Sequence, residues 1–180
     1  MMRALVLVLA LLGSSLPAQA ADLSVTIVEY GLYTADTKSE KLAADGIIDS
    51  VIENLCHYAT TTNVPLKPGV HFGFRYRIDG PRPDQVVILT KIVEFPKTVK
   101  PPGGSKPLSR IWRPMPSQAG KLVYAGYALD DAWELMPGRW GFAIYLADRK
   151  LAEMTFDVAE GADAPIPSAR EATCFKLSSL

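Results

Sequence analysis

Nine consecutive residues constrain this chain more than any others. Val70, Phe72, Phe74, Tyr76 and Ile78 alternate with His71, Gly73, Arg75 and Arg77. A period of two over that length predicts a half-buried β-strand, apolar on one face and polar on the other. Pro68-Gly69 stands immediately before it. Proline pre-sets the first turn position, and glycine accepts the positive φ that a type II turn requires next. Asp79-Gly80 supplies the turn that ends the strand. The same device recurs at Pro137-Gly138, ahead of Trp140, Phe142, Ile144 and Leu146.

Four more segments read as strands: residues 23–33, 86–95, 122–129 and 151–158. Residues 86–95 are apolar on both faces, which predicts a central, fully covered strand. Residues 147–150 join two strand patterns closely enough for an antiparallel hairpin. Short strands separated by turn signals imply an all-β sandwich or barrel. One segment resists. Ile47, Ile48, Val51, Ile52 and Leu55 sit at helical spacing, yet most of them are β-branched and fit a strand better. Residues 96–107, with Lys-Pro-Pro-Gly-Gly-Ser-Lys-Pro at their centre, are expected to be a loop that cannot continue a ladder.

The N-terminus is read as an address. Arg3 precedes the uncharged run 4–12, Pro17 breaks it, and Ala18-Gln19-Ala20 forms an A-x-A cleavage site. This is the pattern of a secretory signal peptide, residues 1–20. The run is too short to span a bilayer, which takes about 20 apolar residues. No other apolar run of that length exists, so no transmembrane anchor is expected in the mature chain. A bacterial periplasmic or secreted protein follows, with a sandwich domain over 21–160 and a C-terminal extension over 161–180.

Charge then narrows the function. Lys plus Arg and Asp plus Glu both total 19 in the 180 residues. A chain without a basic excess is a poor candidate for nucleic acid, whose affinity rests on many phosphate contacts. Two cysteines, Cys56 and Cys174, are too few for a disulfide scaffold. In an oxidising compartment an even pair usually closes, and so long a loop would be worth about 4 to 5 kcal/mol at most. Two buried thiols, or Cys56 joining His57 in a metal or nucleophile site, is the competing reading.

Several blocks taken in order resemble a known family. They are Glu29-Tyr30-Gly31-Leu32-Tyr33, then residues 64–76 from Val64-Pro65 to Arg75-Tyr76, then Phe95-Pro96. Trp133-Glu134-Leu135-Met136-Pro137-Gly138-Arg139-Trp140 and Lys150-Leu151-Ala152-Glu153-Met154-Thr155-Phe156 complete the series. The series is similar to the bacterial, often exported family called domain of unknown function 3859. The resemblance implies an immunoglobulin-like antiparallel β-sandwich with no established activity. It also implies that residues 47–58 form a strand.

Catalytic motifs are absent. There is no G-x-S-x-G elbow, H-E-x-x-H, P-loop, G-x-G-x-x-G or C-x-x-C. His71 reads as part of a cationic surface stripe with Arg75 and Arg77. His57 and Cys56 are adjacent, so in a strand they point to opposite faces. Asp130, Asp131 and Glu134 precede the second Pro-Gly turn, and a turn-capping role fits them better than acid–base work. No cofactor or metal is expected. The most suggestive surface is residues 97–113, with Lys97, Lys100, Lys106, Arg110 and Arg113, no acid, and Trp112 between two arginines. Such a segment suits an anionic envelope component or a protein partner, unless Trp112 enters the core. The expected function is a non-catalytic binding module. The alternative is an unrecognised metal-dependent or hydrolytic enzyme built on the histidines or the acidic cluster.

Overall fold

The structure is a computed structural model that describes residues 23–80, 82, 84–162 and 173–175. The expected signal peptide, and most of the expected C-terminal extension, lie outside the described residues. Among the described residues, ten strands follow one another: β1 (Ser24–Leu42), β2 (Ile48–Ala59), β3 (Asn63–Pro65), β4 (Val70–Asp79), β5 (Val86–Val99), β6 (Leu108–Gln118), β7 (Leu122–Leu129), β8 (Gly138–Leu146), β9 (Arg149–Ala159) and β10 (Thr173–Phe175). They form two sheets, ordered β10-β2-β1-β4-β7 and β3-β9-β8-β5-β6. All pairings are antiparallel except β3 with β9. The expected all-β immunoglobulin-like sandwich is therefore the observed architecture.

The alternating strand behaves as its pattern requires. Phe72, Phe74, Tyr76 and Ile78 of β4 are fully buried between the sheets. Trp140, Phe142, Ile144 and Phe156 answer them from β8 and β9. Phe72 meets the rings of Trp140, Phe142 and Phe156 edge-on, with centroids 5.5 to 5.6 Å apart. Edge-to-face contacts add about 0.5–1.5 kcal/mol each to the burial of such rings. Gly69 has φ +76°, the value that the type II turn ahead of β4 demands. The hairpin expected at 147–150 is present, with Leu146 opposite Arg149 across a two-residue turn.

Three expectations need correction. Strand β5 has neighbours on both sides, but its outer face is not covered. Val86 and Ile88 are exposed there, while Val93 and Phe95 point inward. Pro96 does not end the ladder. It sits inside β5, where the register slips between Glu94 and Val99. A bulge frees one residue from pairing and so tolerates a proline. On β4, Arg75 is not on an open surface stripe: it is 3% exposed and faces Glu29 at 3.4 Å. Residues 48–59, by contrast, are the strand that the family resemblance implied, despite their helical spacing. Between Glu53 and Cys56, β2 carries an extra residue relative to β1, and Asn54 adopts φ +51° there. That bulge breaks the period of two.

The β1–β2 pair decides where a site can form. Strand β1 pairs with β4 over Ser24–Tyr33 and with β2 over Leu32–Leu42. Its second half therefore runs beyond β4 as a two-stranded arm, bent by three register shifts. The arm's tip reaches the other sheet. Arg113 of β6 donates from Nε to Asp49 at 2.6 Å and from Nη1 to Asp45 at 2.8 Å. Gly46 lies so close to Gly104 that a Cβ on either would strike backbone. The arm thus ties its own sheet to the edge strand β6 of the other.

Candidate functional site

Beneath the arm lies a cleft of about 820 Å³. Its walls are the arm (Thr37, Ile48, Ile52), the outer side of β4 and β7 (His71, Tyr124, Gly126) and the inner side of β5 and β6 (Lys91, Ile111, Met115). Clefts of about 300–1,000 Å³ hold small molecules. Lys91 is a single cation in an otherwise apolar run from Val86 to Val93, apart from Thr90. Its partner across the ladder is Arg113, which fixes both side chains on the inner face of the sheet. Its Nζ donates to the carbonyl oxygen of Gly126, 3.2 Å away. Burial of the ammonium lowers its pKa from the usual lysine value to about 8, the charge of Arg113 adds to this, and Asp49 opposes it.

A second polar group adjoins the cleft. Glu29, Tyr33, His57, Arg75 and Tyr124 occupy one face of β2, β1, β4 and β7. Tyr33 is 1% exposed, and its phenol is raised well above the usual range, by burial first and then by the charge of Glu29. His57 places Nδ1 3.8 Å from Glu29 and Nε2 3.0 Å from the carbonyl oxygen of Tyr30. Tyr124 donates to the carbonyl oxygen of Phe72 at 3.1 Å. His71 lies in the same face, its pKa lowered by burial and only partly restored by Asp130.

The acidic cluster is a cap. Glu134 is 7% exposed. It accepts the backbone N–H groups of Asp130 and Asp131 at 2.8 Å and the hydroxyl of Tyr127 at 2.6 Å. These bonds hold the single 3-10 turn of residues 132–134 ahead of β8. Among the described residues, no group of three or more His, Cys, Asp or Glu side chains could hold a metal ion.

The basic segment is divided between two faces. Lys97, Lys100, Lys106 and Arg110 are exposed. Trp112 is 64% exposed, on the outer side of β6 opposite Ile92. The alternation of β6 sends Arg113 to the other face, where it serves the arm. Arg110 stands across the ladder from Glu94. The charge expected from the sequence is thus reduced to three exposed lysines in residues 97–106 and one exposed indole on β6. The cleft was not expected from the sequence, because it depends on how the arm folds back. The lone Lys91 in an apolar strand was the available signal.

Cys174 of β10 lies directly opposite Cys56 of β2 in the ladder. Comparison with known proteins adds the family. The domain of unknown function DUF3859 matches residues 22–158. The chain belongs to this family. A crystal structure of an immunoglobulin-like protein from Pseudomonas aeruginosa is similar to the DUF3859 chain at 25% identity, with a TM-score of 0.56. The match covers 78% of this chain and 99% of that one. Curated proteins give no significant match. In this DUF3859 chain, no described helix is long and apolar enough to cross a membrane.

Proposed function

We propose that this protein is a bacterial, exported, non-catalytic binding module whose outer β5–β6 face docks on an anionic component of the cell envelope. The observation that carries this reading is Trp112, 64% exposed on a regular strand instead of packed in the core. An exposed tryptophan on the strand that follows the lysine-bearing segment 97–106 combines an apolar anchor with charge attraction. Val86 and Ile88, at 65% and 64% exposure, extend the apolar part along β5. The signal-peptide pattern of residues 1–20 supports export to a compartment where such a partner occurs. The enzymatic alternative loses its best acid, because three donors already occupy the Glu134 carboxylate.

The test is binding to anionic vesicles and to an anionic polysaccharide, each against a neutral counterpart. Wild type should bind at least one anionic partner, more weakly as salt is raised, because exposed charges are screened within about 10 Å at 0.1 M salt. The triple variant K97E/K100E/K106E should lose binding about tenfold or more, and Trp112→Ser should also weaken it. Equal binding by wild type and the triple variant would remove the proposal. In cells, a photocrosslinker at position 106 should trap a defined adduct, in contrast to control surface positions.

A further inference from the structure

We infer that the cleft beneath the arm is a binding site for a small amphipathic anion, with Lys91 holding the anionic group and the apolar walls holding the body. The site is separate from the β5–β6 outer face: Lys91 and Trp112 point to opposite sides of the same sheet.

The charges around the cleft select an anion. On the arm, Asp49 is 2.6 Å from Nε of Arg113, and Asp45 takes Nη1 of the same guanidinium. Behind β4, Arg75 faces Glu29. After β7, Glu134 accepts its three hydrogen bonds. His71, its pKa lowered from 6.5, is neutral at pH 7. Glu40, Lys121, Asp130 and Asp131 are exposed at the mouth, where water screens them. Tyr124 and Tyr127 keep their protons, because burial raises both phenols. Of the cations that are not exposed around the cleft, Arg75 and Arg113 face carboxylates, whereas Lys91 has none within ion-pair distance among the described residues. An ammonium has three donors, and one is used by the carbonyl oxygen of Gly126. The others can serve a carboxylate or sulfonate entering the cleft. Ile52, Ile111, Met115 and Val123 give that anion an apolar surface to lie against. Burying a lone cation is costly unless something pairs with it, so a ligand anion supplies what the chain omits.

Titration links this site to pH. A ligand anion favours the charged amine, and the free amine deprotonates near pH 8. Affinity should therefore fall as pH rises through and above that value.

The probe is 8-anilinonaphthalene-1-sulfonate, fused and pendant rings with one sulfonate, titrated into the full chain. One molecule should bind per chain. Lys91→Met should weaken binding about tenfold or more, since one lost charge-assisted contact is worth about that factor. Lys91→Arg should retain binding and lose the decline between about pH 7 and pH 9, because a guanidinium stays charged. The uncharged analogue N-phenyl-1-naphthylamine should be indifferent to Lys91→Met, which also reports that the variant is folded. Trp112→Ser should leave sulfonate binding unchanged. Absence of binding to wild type, undiminished binding to Lys91→Met, or loss of binding in Trp112→Ser would each overturn the assignment. K97E/K100E/K106E, which tests the envelope-facing surface, should not affect it.

Discussion

Glu134 shows what one residue does here and how its chemistry is disguised in the sequence. Next to Asp130 and Asp131 it resembles half of an acid–base pair, yet it closes a turn. Burial raises its pKa against the opposing effect of the Tyr127 hydroxyl and the two N–H donors. Replacing it with alanine strands those donors, and Glu134→Ala should cost about 2–3 kcal/mol in a denaturant melt. Glu134→Gln keeps the shape and should cost less. The pH dependence has a definite sign. A carboxyl with a raised pKa in the folded state binds its proton more tightly there than in the unfolded chain. Its contribution is largest in acid and declines as pH rises through the raised value. The stability gap between wild type and Glu134→Gln should therefore be wider near about pH 4 than near about pH 7. A gap that widens towards neutral pH would contradict this account. Arg75 teaches a related lesson. Alternation correctly placed it on the face away from the core, but period two does not report whether that face is covered.

At the scale of elements, the arm is the feature the sequence concealed. Core strands such as β4 and β8 were legible because Phe72, Phe74, Trp140 and Phe142 repeat with a clean period. Strand β2 was not, because its bulge at Asn54 shifts the side-chain phase and leaves an accidental helical spacing. Its β-branched residues and the family resemblance pointed the right way where periodicity did not. Arg113 was visible as a cation but not as a latch, since Asp45 and Asp49 lie more than sixty residues away. The latch should be measurable. Burial alone would raise the pKa of Asp45, but hydrogen bonds from Arg113 and from the N–H of Ile47 outweigh it and lower the value. A carboxylate lowered in this way stabilises the fold above its ordinary pKa of about 3.9, and the contribution is lost as pH falls through the folded value. Arg113→Ala should remove about 1–2 kcal/mol, a partly exposed pair being discounted for screening. Amide exchange at residues 45–48 should accelerate in the variant and, in wild type, on acidification. Unchanged exchange there would mean the tip is held by its contact with residues 101–104 instead.

For the molecule as a whole, the short strand β10 matters because it brings residues 173–175 back onto β2. A domain of this size can bury about 70% of its unfolded surface without a staple, so the two cysteines are a supplement to the core. The sequence could count them and guess their state, but it could not show that they meet. Strand β10 puts Cys174 opposite Cys56, at the base of the arm. Residues directly opposed in an antiparallel ladder have Cα atoms about 4.5–5.5 Å apart, within the span of a disulfide. We predict that the protein carries this bond when it is kept in an oxidising medium. His57 then has no neighbouring thiol to work with, and the competing Cys-His site is excluded by the same chemistry. The bond would tie residues 173–175 to β2 and so to the arm that roofs the cleft. Reduction, or Cys174→Ser, should lower stability by about 2–4 kcal/mol, below the chain-entropy limit because the folded ends are already paired by backbone hydrogen bonds. Intact-mass measurement before and after reduction decides the matter. The native protein should be about two mass units lighter than the reduced one and should resist alkylation. Two thiols alkylated in the unreduced, folded protein would show that β10 is held by its ladder alone.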